Sequence, residues 1–263
     1  MKKLRQIALS LNSLRKFLGF SLFFRSTKFN HHLEITDNLD SLDFRRVLVL
    51  SPHPDDDVFG LGGVIAKFTA TGAQVTVAYF CDGSGGSREV GWERDLGLVE
   101  ARMNEAKRAG EILKISKQVF FGYPDGKLTT GGAAQKALND LIKQVKPDII
   151  FVPSFLDNHP DHRATNDILF KVLSQKDWAC DCQIWLFEIW TPIFVNRLVN
   201  ITNTAQRKQE AMEAQESQLQ ARAYDKAIFG LNQYRAEING LEGFAEGFFA
   251  TTIEVYKKLY KER

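Results

Sequence analysis

The sequence predicts an α/β fold built on a mostly parallel sheet. Three observations carry that expectation: short aliphatic runs such as Val47-Leu48-Val49-Leu50, helical segments between them, and glycine or proline turns at the junctions. A run that is apolar at every position suits a strand covered on both faces, and its alternation with helices suits crossover connections. At 263 residues, 44% hydrophobic and 25% charged, the chain is long enough for one substantial core.

The elements follow in order. Residues 46–50 form the first buried strand. Gly60, Gly62 and Gly63 open a helix expected over 64–71, and 74–80 reads as a second strand closed by the loop Asp82-Gly83-Ser84-Gly85-Gly86. A helix rich in Ala, Glu and Arg is expected over 93–113, then a strand at 118–121 and the turn Gly122-Tyr123-Pro124-Asp125-Gly126. A helix over 132–145 leads through Lys146-Pro147 to a strand at 148–152. A helix from residue 164, strands at 183–189 and 194–201, and a polar helix over 205–221 complete the pattern, a Rossmann-like three-layer sandwich.

Open sheets of this kind hold ligands outside the carboxyl ends of strands, where strand order reverses. Two clusters fall at such ends: His53-Pro54-Asp55-Asp56-Asp57 after the first strand, and His159-Pro160-Asp161-His162 one short loop after the strand at 148–152. Three of the chain's five histidines lie in them. Metal-assisted hydrolysis needs three nitrogen or oxygen ligands and one open position. His53 and Asp56, on a turn restricted by Pro54, supply two, and His162 supplies a third from a neighbouring strand end. That set suits one Zn2+, other divalent ions being alternatives.

Asp55 is then free to act as general base. His159 shares the pocket without ligating, where an imidazolium would stabilise an oxyanion or protonate a leaving amine, with Asp161 orienting and charging it. Other readings stay open. Acidic runs also make solvated turns and helix caps, paired metals serve phosphoesterases, and a non-catalytic sugar-binding or interaction module would keep the same fold. Gly60-Leu61-Gly62-Gly63 does not match the G-x-G-x-x-G dinucleotide loop, and the carboxylates ahead of it would repel a pyrophosphate.

Residues 46–165 resemble the PIG-L or LmbE-like family of zinc-dependent N-acetylglucosaminyl deacetylases. The likeness lies in Ser51-Pro52-His53-Pro54-Asp55-Asp56-Asp57, Gly122-Tyr123-Pro124-Asp125-Gly126, Pro147-Asp148 and His159-Pro160-Asp161-His162-Arg163-Ala164-Thr165. The resemblance implies that His53, Asp56 and His162 bind zinc, that Asp55 is the base, and that His159, supported by Asp161, stabilises the tetrahedral intermediate or acts as acid. It implies further that Arg102 contacts the substrate, an N-acetylated amino sugar conjugate. Asp57 stands where the family usually has Glu, and Asp157 where some members have Tyr. The loop 82–86 and the segment around Tyr123 would frame the sugar and Trp92 would cover it.

With 34 Lys and Arg against 32 Asp and Glu, the charge balance calls for no nucleic acid. Cys81, Cys180 and Cys182 cannot all pair within one chain, which suits a reducing, cytoplasmic compartment. Residues 1–40 form a separate segment ahead of a domain over 41–263. Its first 32 residues carry seven basic side chains and no acid, with Leu4, Ile7, Leu11, Leu14 and Leu18 at helical spacing. Such a stripe can pack on the domain or on a second copy, meet a membrane surface through residues 1–30, or act in targeting.

Overall fold

The computed structural model describes residues 33–37, 39–85, 95–175 and 182–263. In chain order these form β1 (Glu34–Thr36), β2 (Arg46–Ser51), α1 (Asp56–Ala70), β3 (Gln74–Cys81), α2 (Leu96–Leu113), β4 (Lys117–Tyr123), α3 (Gly132–Val145) and β5 (Ile149–Pro153). There follow α4 (Pro160–Leu173), β6 (Gln183–Phe187), β7 (Arg197–Asn200), α5 (Ala205–Glu213), α6 (Glu216–Ala221), α7 (Tyr224–Glu237), β8 (Ala245–Thr252) and α8 (Ile253–Glu262).

The strands make one sheet in the order β1-β7-β8-β6-β5-β2-β3-β4, parallel except where β8 runs against β6 and β7. Strand β2 shows why it needs no polar face. Val47 and Val49 pack with α1, α2, α5 and α7 on one side, while Leu48 and Leu50 pack with α3, α4 and α8 on the other. The result is the expected three-layer sandwich. Strand order reverses between β2 and β5, which pair through Val47 with Ile149 and Val49 with Phe151. The two clusters therefore leave neighbouring strands at the reversal point.

Several boundaries differ from the sequence expectation. The sheet takes in residues 34–36, which lie inside the stretch set apart as an N-terminal segment, because β1 pairs with β7. The polar helix over 205–221 is two helices, α5 and α6. Strand β8 and helices α7 and α8 have no counterpart in the expectation. The stripe over 1–32, Trp92, Gly86 and Cys180 lie outside the described residues; Cys81 and Cys182 are buried free thiols. Among the described residues no helix is long and apolar enough to cross a membrane.

Helix α1 begins inside the first cluster, not at residue 64, and it is broken at Leu61 (φ −148°, ψ 25°). At the break the Gly63 and Val64 N–H groups donate to the Glu246 carboxylate of β8, at 2.9 and 2.8 Å. Lys208 of α5 balances that charge: its ammonium donates to Glu246 Oε1 (2.7 Å), Asn232 Oδ1 (2.9 Å) and Phe59 O (3.0 Å). Both ions are fully buried, and burial lowers the Lys208 pKa against the pull of Glu246. The glycine run is a packing device as well, since a Cβ on Gly60 would lie 2.5 Å from Phe187 of β6.

Candidate metal centre

After Ser51 the chain turns sharply. The Asp56 carboxylate accepts the His53 N–H at 2.9 Å and stands 3.0 Å from His53 Nδ1, so backbone and side chain together fix the imidazole against the acid. From β5 the chain reaches His159, the N-cap of α4, with Pro160 at the first helical position, where a missing N–H costs nothing. This helix starts at Pro160, four residues before the expected 164, so Asp161 and His162 lie in its first turn and point back at the cluster after β2.

His162 Nε2 lies 3.2 Å from Asp56 Oδ2, the oxygen that also faces His53 Nδ1. The three side chains read as ligands thus meet at one atom. On its other edge His53 Nε2 stands 3.2 Å from Asp161 Oδ2 and 3.3 Å from Asp125 Oδ1. Ligand atoms of His53, His159 and His162 all lie within 4.8 Å of one another, and so do those of His53, Asp125, His159 and Asp161.

His162 tests whether an ion fits. It is wholly buried, yet neither ring nitrogen makes a hydrogen bond; the Asp56 and Asp157 oxygens at 3.2 and 3.3 Å are near but misaligned. A buried imidazole without an aligned partner is costly, and a cation held between His162, Asp56 and His53 removes that cost. Imidazole and carboxylate donors around a sequestered point are a donor set for a divalent ion.

Charge distribution agrees. Burial alone would lower His53, but Asp56, Asp125 and Asp161 hold its pKa well above the ordinary value. His162 is held up at about 9, against burial, chiefly by Asp56. Asp56 is driven well below the usual carboxylate range, burial being outweighed by His162 and His53. Burial raises Asp55 despite the opposing Arg102.

Arg102, on α2 and 3% exposed, reaches Asp55 Oδ2 with Nη2 at 2.9 Å and donates from Nη1 to Gly83 O at 3.0 Å. It meets the acid expected to be the base. Gly83 adopts φ +72°, and a Cβ there would lie 2.8 Å from the Arg102 side chain, so the loop after β3 depends on glycine at this point. Asp57 sits behind the site, accepting from the Tyr79 hydroxyl at 3.0 Å, and burial lifts its pKa to about 7.

One assigned contact is absent. The Asp161 carboxylate does not support the His159 ring: it accepts the Gly126 and Leu128 N–H groups at 2.7 and 3.2 Å and faces His53. Only the Asp161 backbone N–H reaches His159, donating to Nδ1 at 3.2 Å, because the helix start turns the side chain away. With Nδ1 accepting, neutral His159 carries its proton on Nε2.

Two acids at the centre escaped residue-by-residue reading. Asp125 lies in the Gly-Tyr-Pro-Asp-Gly turn, which was a signal for it. Asp157 stands 3.3 Å from His162 Nδ1 and accepts the His159 and Trp190 N–H groups at 2.8 and 3.2 Å. The pocket above, about 270 Å³, is lined by His53, Asp55, Asp56, Gly85, Arg102, Asp125 and His159. Trp190, Gln218, Ala221, Arg222 and Tyr224 complete the lining, from a region with no motif to announce it.

Residues 48–173 match the family model described as PIG-L, GlcNAc-PI de-N-acetylase. Diacetylchitobiose deacetylase of Thermococcus kodakarensis is 35% identical over 124 residues, 46% of each chain. A probable N-acetyl-alpha-D-glucosaminyl L-malate deacetylase 2 of Bacillus anthracis is 30% identical over 137 residues, 49% of this chain and 60% of its own. The chain thus spans about half the length of the curated relatives it matches. In fold it superposes on N,N'-diacetylchitobiose deacetylase from Pyrococcus horikoshii with a TM-score of 0.72 at 23% identity, over 83% of this chain and 88% of that one. Residues 48–173, which carry both clusters and the reversal point of the sheet, belong to the PIG-L family.

Proposed function

We propose that the protein is a metal-dependent N-deacetylase that hydrolyses the acetamide of an N-acetylated amino sugar conjugate of the GlcNAc type, giving acetate and an amine. The observation that carries this reading is the meeting of His53 and His162 at one Asp56 oxygen, beside Asp55 and His159 in a common pocket. The deacetylase relatives support the substrate class.

His53, Asp56 and His162 are the proposed ligands. A divalent ion such as Zn2+, when bound there, supplies Lewis acidity toward water and the amide oxygen. Asp55 takes the proton from the attacking water, and its ion pair with Arg102 keeps the carboxylate aimed into the pocket. Arg102 acts through Asp55 and is a positioning residue. His159 donates a hydrogen bond from Nε2 to the developing oxyanion, and the proton that Asp55 has taken from water passes to the leaving amine. Asp157 stands 3.3 Å from His162 Nδ1 and, by aligning with that nitrogen once the ion is held, would leave Nε2 for the ion.

The test is acetate release from a panel of N-acetylglucosaminides by zinc-loaded protein. The native chain should release acetate, and Asp55→Asn should reduce the rate by about 10²- to 10⁴-fold with metal content kept. No release from any compound, or equal release by the variant, contradicts the reading.

A further inference from the structure

The metal side of the pocket is rich in carboxylates, and its one cation is spent: Arg102 is committed to Asp55 and to Gly83 O. A second cation, Arg222, lines the same pocket at the turn between α6 and α7. Its guanidinium makes no hydrogen bond and no ion pair among the described residues. Of the acids near it in sequence, Glu216 pairs with Arg108 at 3.2 Å and Asp225 forms no ion pair.

The backbone holding Arg222 is fixed. Its N–H donates to Gln218 O at 3.1 Å and its carbonyl accepts the Tyr224 N–H at 2.8 Å. Helix α6 is pinned to α2, the helix of Arg102, by the Ser217 N–H and hydroxyl donating to Glu105 at 2.8 and 2.7 Å. Beside it the Trp190 and Tyr224 rings pack edge to face at 5.0 Å, with Tyr224 backed by Phe59 of α1 at 5.8 Å. Trp190 is nonetheless 41% exposed, an aromatic face left open at the lip of a polar pocket. Such a face suits the apolar side of a sugar ring.

We infer that Arg222 and the Trp190–Tyr224 pair form a specificity subsite for an anionic group, carboxylate or phosphate, on the part of the conjugate beyond the acetylated sugar. The inference rests on the deacetylase reading of the same pocket. Charge placement orients the substrate: Arg102 is held by Asp55 and a bound ion offsets the neighbouring carboxylates, so an anion received by Arg222 leaves the acetamide free to meet the ion. Arginine also suits the task, because its planar fork meets carboxylate or phosphate with two parallel hydrogen bonds.

The test compares phenyl and 4-carboxyphenyl N-acetylglucosaminides, in both anomeric forms, at low ionic strength. Binding to the zinc-loaded full chain is measured by calorimetry in the His159→Gln background, which slows turnover and leaves the Asp55–Arg102 pair in place, with and without Arg222→Gln; acetate release by the native chain is measured in parallel. The carboxylated compound should bind about tenfold more tightly than the neutral one, and Arg222→Gln should bring that ratio close to one. Trp190→Ala should weaken both compounds together. An unchanged ratio in Arg222→Gln, equal binding of the two compounds, or no binding of either overturns the inference. Charge preference that depends on Arg222, without acetate release by the native chain, upholds the subsite and removes the deacetylase reading. Acetate release without charge preference does the reverse.

Discussion

At the scale of single residues, the centre depends on side chains that aim other side chains. Asp157 stands 3.3 Å from His162 Nδ1 and accepts the His159 and Trp190 N–H groups. Asp157→Ala should therefore lower zinc affinity by about 10- to 100-fold, read by competition with a chelator, with the fold retained. Gly83→Ala acts on Arg102: the added methyl at φ +72° would meet its side chain, so Asp55 loses its partner. Acetate release should fall while zinc content stays near native, and a loss of zinc in step with activity would contradict that role. The metal ligands were legible because histidine and aspartate at strand ends have few other uses in such a pattern. Asp157 was not, since its role arises from three partners brought together only when the segments after β5 and β6 meet. Asp161 was legible in part for a related reason: burial lowers the His159 pKa and the Asp161 charge raises it, as proximity in sequence suggested, but the first turn of α4 sends the carboxylate's contacts to His53 and the Gly126 and Leu128 N–H groups.

At the scale of elements, α1 carries the first cluster and is interrupted one turn later. The freed N–H groups of Gly63 and Val64 are satisfied by Glu246, which is paired with Lys208, so β8 and α5 hold the helix that presents Asp56. Glu246→Ala leaves the buried Lys208 ammonium without its counter-ion and two buried N–H groups without acceptors, and should cost about 3–5 kcal/mol in chemical denaturation. Replacing both ions, Glu246→Leu with Lys208→Met, should recover part of that loss. A single variant as stable as the native chain would show that the pair does not brace the helix. Strands β2, β3 and β5 were legible because burial on both faces writes an uninterrupted apolar run. Strand β8 was not, because its buried face includes Glu246 and Gly247, and α1 was taken to start late because an acidic turn conceals a helix start.

At the scale of the whole molecule, the sheet brings two clusters, over a hundred residues apart, to adjacent strand ends, while the C-terminal third completes the lining of the pocket. The first part could be read from periodicity and the strand-end rule; the second could not, since Trp190, Arg222 and Tyr224 share no spacing. An ion that binds only the folded chain must also stabilise it. Free zinc at about a hundred times its dissociation constant should add about 2.7 kcal/mol, seen as a rise in Tm that a chelator reverses. The most direct test of the central claim is an anomalous-scattering map from zinc-loaded crystals. It should show one peak per chain, about 2.0–2.2 Å from nitrogens of His53 and His162 and an oxygen of Asp56. A peak ligated instead by Asp125, His159 and Asp161, or no peak between the two clusters, would contradict it.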